Sequence, residues 1–136
     1  MTPASQRRLR YLVLAIGTIA VGLTVHLGAS VLPPAIRDVV GDALWAMMIV
    51  WWLGVAAPRL SLRMRGLAAL AVCVGVEFSQ RYHAPWLDAL RRTLPGQLVL
   101  GSGYDPRDLL AYAAGVVVAT ALGRKAVDES SASEAR

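Results

Sequence analysis

The chain is short, apolar and basic: it has 136 residues, of which 56% are hydrophobic and 17% charged, and its formal net charge is +5. An apolar fraction above the roughly 45–50% of soluble domains, with the charges gathered in short clusters, is typical of a membrane protein of one domain. The basic residues flank apolar runs and form no patch with interleaved aromatic residues. We therefore expect a lipid bilayer and no nucleic acid as partner.

The first apolar run follows a basic N-terminal stretch, residues 1–10, and covers residues 11–32 without a formal charge. It reaches the roughly 20 residues that a helix needs to cross the hydrocarbon of a bilayer. A secretory signal peptide is the alternative interpretation. We favour a retained span, because the run exceeds the apolar core of such a peptide and further apolar segments follow.

The second apolar segment lies between prolines. Pro33 and Pro34 predict the end of the first span, because proline lacks a backbone donor and restricts the residue before it. A loop over residues 35–40 is expected next, and residues 41–58 then form a second span that contains three tryptophans. Tryptophan is favoured at the bilayer interface and can equally pack between helices.

The third apolar segment, residues 66–80, ends in polar side chains. Glu77 and Gln80 are three residues apart and therefore share one face of a helix. A carboxylate inside an apolar segment is costly and is usually retained for function, although pairing with an arginine is a structural alternative. Cys73 is the only cysteine; we expect a buried or lipid-facing residue and no disulfide.

A short interfacial helix is predicted over residues 84–96. Pro85 suits the first helical position. The apolar residues fall on one side, and Asp88, Arg91 and Arg92 fall on the other. Asp88 is at helical spacing from both arginines and can pair with either. A compact loop is expected between this helix and the last span.

The last span is predicted over residues 109–122. Asp105 suits the N-cap and Pro106 the first helical position. Gly123 is the expected C-cap, and residues 124–136 are polar and are predicted to form a disordered cytoplasmic tail.

Loop charges predict the orientation of the chain. Arginine and lysine are in excess before the first span, between the second and third, and after the fourth, whereas aspartates largely balance the arginines of the other loops. The positive-inside rule therefore places both termini in the cytoplasm. The predicted fold is all-α, an integral four-helix bundle over residues 11–123 of a bacterial cytoplasmic (inner) membrane, with the short interfacial helix and loop between spans three and four.

Each predicted span carries a polar residue at a similar height. A rise of about 1.5 Å per residue places His26, Asp42, Glu77 and Asp108 roughly 18–25 Å above the cytoplasmic edge. We expect these residues to meet in one outward-facing pocket that recognises a lipid-linked glycan or a phospholipid head group. Carboxylates would accept hydrogen bonds from sugar hydroxyls, and an arginine would meet phosphate. The residues assigned to ligand binding are Asp42, Glu77, Gln80, Arg91, Arg92, Asp108 and Tyr112.

Two other functions stay open. A membrane-embedded enzyme acting on a lipid-linked substrate would use Glu77 or His83 as general base and Asp108 as its partner. A structural subunit of a membrane complex would use the polar residues only for assembly. The sequence contains neither a nucleophile–base pair nor metal-ligand spacing, so we expect no metal and no cofactor, and we favour a protein that is not an enzyme.

Several blocks resemble a bacterial family of small four-span membrane proteins of unknown function: residues 41–46, 77–80, 84–91, 100–104 and 108–112. That family is in turn similar to the VanZ-like proteins, which share Glu-x-x-Gln at the end of one span, an arginine in the next loop, and an aspartate that opens the last span. The matching residues are Glu77, Gln80, Arg91 or Arg92, Asp108, Tyr112 and Gly115, with asparagine usual at the position of Tyr112. The resemblance implies a role in the cell envelope and no established reaction.

Overall fold

A computed structural model describes residues 2–28, 32–101 and 103–134. Over this part of the chain the protein is all-α, as predicted, with six helices and no strand. The helices are α1 (Pro3–Leu27), α2 (Pro34–Ala56), α3 (Leu62–Ser79), α4 (Pro85–Arg91), α5 (Leu94–Leu100) and α6 (Asp108–Glu134). The four long helices form the bundle, and the two short ones lie between α3 and α6.

Helix α2 is the centre of the bundle, since it packs against α1, α3 and α6. Its Trp51 is buried and donates a hydrogen bond from Nε1 to Oγ1 of Thr18, with 3.2 Å between the atoms. The Trp51 ring also stacks on Tyr11, with 6.2 Å between the ring centroids. Trp51 thus packs between helices, whereas its neighbour Trp52 is exposed.

The outer faces of the long helices are apolar. Val13, Leu67, Leu110 and Val117 are each at least 60% exposed. Large exposed apolar surfaces are rare on soluble monomers and mark contact with lipid or with other proteins. These faces are therefore in keeping with a bilayer around the bundle.

Within the residues that the structure describes, two helices are long and apolar enough to cross a membrane. Residues 4–27 and 34–56 have mean hydropathies of 1.6 and 1.7, and only 17% and 22% of these windows are buried. The core helix of a soluble protein passes the same test while mostly buried, so the low burial favours a membrane location. A signal sequence near the N-terminus, which is where α1 lies, passes the same test of length and hydropathy.

The four-span bundle is not confirmed, because α3 and α6 do not pass the hydropathy test over their described residues. Helix α3 contains Arg63, Arg65 and Glu77 within 18 residues. Helix α6 begins at Asp108 and contains Arg124 and Lys125. Helices α1 and α2 also carry three charged side chains each, but both are long enough to contain an 18-residue stretch with no more than one of them, whereas α3 has only 18 residues in all.

The N-terminal helix boundaries differ from the predicted ones. Helix α1 begins at Pro3 rather than at residue 11, because the Thr2 side chain caps it by accepting the N–H of Ser5. It ends at Leu27, not at residue 32. The predicted loop over residues 35–40 is wrong: Pro34 occupies the first position of α2, where its missing N–H costs nothing.

The C-terminal half holds three further corrections. The predicted 84–96 helix is split into two helices. Helix α4 does begin at Pro85, whereas α5 starts after the Thr93 cap within the predicted helix and continues to Leu100, in a segment expected to be a loop. The final helix begins at Asp108, so Asp105 is not its N-cap as predicted. The Asp105 side chain accepts the N–H of Arg107 in the turn before the helix.

Gly123 does not end the final helix, whose backbone continues to Glu134 through most of the expected tail. A Cβ atom on Gly123 would lie 3.0 Å from the methyl groups of Leu62. Glycine at this position allows α3 and α6 to pack closely, which is why the C-cap prediction is wrong.

Candidate functional site

A cavity of about 760 Å³, lined by both apolar and polar side chains, lies at the end of the bundle where α1 ends and α2 begins. We call it the main cavity. The end of α3, helix α5 with the loop after it, and the start of α6 complete its wall. Its polar lining includes Asp38, Asp42, Gln80, Asp105, Asp108 and Tyr112.

Asp42 of α2 and Asp108 of α6 come from different helices, and both line the main cavity. The two helices cross closely, since a Cβ atom on Gly115 would overlap the backbone carbonyl of Ala43.

Glu77 is fully buried and does not line the main cavity. Its Oε1 accepts the backbone N–H of Asp105 at 2.7 Å. Its Oε2 accepts the Tyr112 hydroxyl at 3.3 Å and Nε2 of Gln80 at 3.4 Å. The carboxylate thus joins the end of α3 to the start of α6, and it holds three residues of the cavity wall in place.

Gln80 is 6% exposed and lines the main cavity. Its side-chain oxygen has no hydrogen-bond partner among the described residues. Its amide packs directly against Gly101, where a Cβ atom would overlap Nε2. Gly101 also has φ +68°, a conformation that glycine adopts readily, so this position requires glycine twice over.

A second hollow of about 340 Å³ adjoins the main cavity. We call it the arginine groove; it is lined by Gln80, His83, Asp88, Arg91, Arg92 and Gln97. Gln80 and Gln97 line both spaces, so these two residues lie where the main cavity and the arginine groove adjoin.

The two arginines of this groove have different environments. Arg91 is buried and donates to the backbone carbonyls of Ser79 at 2.6 Å and Tyr82 at 2.9 Å. It also pairs with Asp88 at 3.3 Å, one of the two predicted pairings. Arg91 therefore satisfies carbonyls at the end of α3, where a cation is favoured. Arg92 is exposed and keeps its charge available to a ligand.

The predicted binding residues are distributed over three places. Asp42, Gln80, Asp108 and Tyr112 line the main cavity. Arg91 and Arg92 line the arginine groove. Glu77 lies behind the wall of the main cavity, enclosed by its three donors.

The three catalytic candidates are not gathered in one space. Asp108 lines the main cavity and Glu77 lies behind its wall, while His83 lines the groove, where its Nδ1 lies 3.4 Å from Asp88. Among the residues that the structure describes, no group of three or more His, Cys, Asp or Glu side chains is arranged to hold a metal ion.

Sequence reasoning did not assign Asp38, Gln97 and Asp105 to the site, although all three line the main cavity. The height of Asp38 is one helical turn from that of Asp42, which was an available signal. Asp105 was assigned only a capping role. Gln97 lies on α5, which the sequence did not predict, so no signal pointed to it.

No solved structure matches the chain. Residues 31–116, more than half of the chain, match the family described as "Protein of unknown function (DUF2809)". The chain therefore belongs to the DUF2809 family, whose function is unknown.

Proposed function

We propose that this protein recognises the head group of an envelope lipid or glycolipid in the main cavity. In this proposal it is an integral protein of the bacterial inner membrane, with four spans and both termini in the cytoplasm. The observation that carries the proposal is a cavity of about 760 Å³ with Asp42, Gln80 and Asp108 on its wall, in a bundle whose outer faces are apolar. Small-molecule sites typically measure roughly 300–1,000 Å³.

The short helices beside the cavity favour a lipid over a soluble ligand. Trp86 of α4 and Leu94 of α5 are 64% and 65% exposed, and Leu94 also lines the main cavity. Tryptophan and leucine on short amphipathic helices are typical of segments that lie in the head-group region of a bilayer. In that position the cavity would adjoin the head groups that it is proposed to bind.

A lipid analysis tests the binding proposal. The full chain, its Asp108→Asn variant and its Arg59→Gln variant are extracted from bacterial membranes with mild detergent, and the lipids that copurify are quantified by mass spectrometry. We expect a specific lipid to copurify with the wild type and with Arg59→Gln, which alters an exposed residue near the other end of the bundle. Asp108→Asn should lose it. The same lipid profile from all three proteins would overturn the proposal.

A labelling experiment tests the topology. Cys73 is the only cysteine and is buried, so a Cys73→Ala background supports single-cysteine variants. Gly103→Cys places a thiol in open space after α5, and Gln6→Cys places one near the N-terminus. On intact cells a membrane-impermeant maleimide should label Gly103→Cys alone, whereas Gln6→Cys should react only after permeabilisation. The reverse pattern would contradict the proposed orientation.

An enzyme acting on a lipid-linked substrate is the second candidate, and the presence of Asp42 and Asp108 on the wall of one cavity is the observation that favours it. Paired carboxyl groups recur in acid–base catalysis. Incubation of the purified protein with labelled membrane lipids separates the two functions. A lipid that binds stoichiometrically and is recovered unchanged supports recognition, whereas a lipid converted to product supports catalysis.

A further inference from the structure

The lining of the main cavity changes with depth. Its outer part, at the end of the bundle, carries polar side chains such as Asp42 and Asp108. Its inner part lies deeper along α1 and α2 and is formed mainly by apolar residues: Ile19, Gly22, Leu44 and Met48. Because α2 contributes lining residues from Asp38 to Met48, the cavity is about 15 Å deep at a rise of about 1.5 Å per residue.

The hydroxyl groups that border the inner part are already hydrogen-bonded within the protein. Thr18 donates to the backbone carbonyl of Leu14 at 2.8 Å and accepts Nε1–H of Trp51 at 3.2 Å. Tyr112 donates to Glu77 at 3.3 Å. A polar group of a ligand would lose its hydration here and gain no partner from these hydroxyls, whereas a hydrocarbon chain is favoured by leaving water. The inner part therefore suits the acyl chain of a lipid.

The main cavity occupies a gap between α1 and the C-terminal half of the bundle. Helix α1 packs against α2, and over the described residues no Cα atom of α1 lies within 8 Å of one in α5 or α6. Residues of all three helices line the cavity, so this gap is the cavity itself.

The edges of the gap are apolar. Exposed leucine and valine side chains line the cavity on both sides of the gap: Leu23 on α1, and Leu94, Leu98 and Val99 on α5. Their exposure makes these edges as apolar as the outer faces of the bundle. An acyl chain can pass between such edges without crossing a polar surface.

We propose that the inner part of the main cavity holds one acyl chain of the bound lipid, which enters the bundle sideways through the gap between α1 and α5. This inference rests on the proposed function: the head group occupies the outer part, and the ligand is a membrane lipid bound through both its head group and its chain. The protein then recognises lipid taken directly from the bilayer and not a head group free in solution.

Two glycines of α1 provide a variant and its matched control. Gly22 lines the main cavity, and a Cβ atom there would lie 4.0 Å from a methyl group of Leu44, which is an ordinary contact. Gly22→Leu therefore extends a side chain into the inner part. Gly17 is exposed and has nothing within 4 Å of its Cβ position, so Gly17→Leu adds the same atoms outside the cavity. Leucine is a better helix former than glycine, so both variants should fold.

A photocrosslinking experiment tests the inference. Bacteria that express the full chain are supplied with a fatty acid that carries a diazirine in mid-chain, so that every class of membrane lipid contains the probe. After irradiation, crosslinked residues are identified by mass spectrometry. We expect crosslinks to Met48 in the wild type and in Gly17→Leu, and at least about a tenfold loss in Gly22→Leu, because its side chain occupies the space of the acyl chain. Crosslinks to the exposed Leu67 should be equal in all three proteins.

The outcomes separate this inference from the proposed function. Absence of a Met48 crosslink in the wild type, or equal crosslinking in the wild type and Gly22→Leu, overturns the acyl-chain site, even if the copurified lipid still depends on Asp108. Loss of the crosslink in Gly22→Leu alone, together with an unchanged lipid profile in Asp108→Asn, upholds the acyl-chain site and overturns head-group recognition.

A second measurement uses the wild type alone and so does not depend on the folding of a variant. Water-soluble head groups, released from bacterial lipids by deacylation, are added to the protein that carries its copurified lipid. They should not displace this lipid at concentrations at which the intact lipid extract does. Displacement by both at the same concentration would overturn the inference, because the chain would then contribute nothing to binding.

Discussion

Glu77 accepts a hydrogen bond from the backbone N–H of Asp105, with 2.7 Å between Oε1 and the nitrogen. The bond joins residues that are 28 positions apart, across α4 and α5. The same carboxylate receives Tyr112 and Gln80, which line the main cavity. We conclude that the buried acid acts through other residues: it positions the wall of the cavity without contacting its contents.

Glu77→Ala should therefore lower stability. The substitution leaves the Asp105 N–H, the Tyr112 hydroxyl and the Gln80 amide without their acceptor, and each buried unsatisfied group costs about 1–3 kcal/mol. We expect a loss of about 3 kcal/mol or more in the free energy of unfolding, measured by SDS titration of the purified protein with circular dichroism. Tyr112→Phe removes one of the three donors and should cost less. Equal stability of Glu77→Ala and wild type would contradict the positioning role.

Gly115→Ala should disrupt the contact between α2 and α6. A Cβ atom at this position overlaps the backbone carbonyl of Ala43, and backbone yields less readily than a side chain. Overpacking of this kind costs about 1–3 kcal/mol. Gly75→Ala is the control, because nothing lies within 4 Å of its Cβ position and alanine is the better helix former. Thermal unfolding in detergent should show a lower midpoint for Gly115→Ala and an unchanged or higher one for Gly75→Ala.

The adjacent arginines should respond differently to replacement by alanine. Arg91→Ala removes donors from the Ser79 and Tyr82 carbonyls, and we expect it to reduce stability by about 2–3 kcal/mol. Arg92→Ala should change stability by less than about 0.5 kcal/mol, because its side chain is exposed. Unfolding measurements compare the two variants. If Arg92→Ala is the more destabilising, the roles assigned to these residues are reversed.

The neighbouring tryptophans provide a similar pair. Trp51→Phe loses the Nε1–H bond to Thr18 and some of the volume that fills the core, so we expect a loss of about 1–2 kcal/mol. Trp52→Phe alters a side chain that is 42% exposed and should have little effect. Fluorescence-detected unfolding of both variants checks the difference. Comparable losses would show that Trp52 is held in a contact beyond the isolated chain.

Local sequence signals correctly predicted where some helices begin. They did not predict helix ends that depend on packing against other helices. Pro85 at the first position of α4 followed from the fixed φ angle of proline. Pro34 predicts the end of a helix, whereas it is the first residue of α2. Proline both interrupts helices and suits their first position, so its presence alone does not distinguish the two. Gly123 was interpreted as a cap, and its actual partner, Leu62, is distant in sequence and cannot be inferred from local pattern.

The sequence predicted how high along the bundle the site residues lie. It did not predict in which direction around its helix each side chain points. Counting residues along each helix placed His26, Asp42, Glu77 and Asp108 at one end of the bundle, and His26, Asp42 and Asp108 do line one cavity. Glu77 has a similar height and faces Asp105 and Tyr112 instead. The direction of a side chain around its helix depends on crossing contacts such as that of Gly115 with Ala43, which spacing alone does not reveal.

The arrangement of α1 and α2 has a consequence for biogenesis in the proposed topology. The two helices that pass the hydropathy test are consecutive in the chain and pack against each other. Such a pair can leave the translocon together as a helical hairpin, before the ribosome has completed the remainder. In that topology α3 and α6 would then insert against protein already in the bilayer, where Arg65 lies over the Tyr11 ring at 4.5 Å from its centroid. Early-synthesised helices would thus serve as an intramolecular insertion template for the later ones.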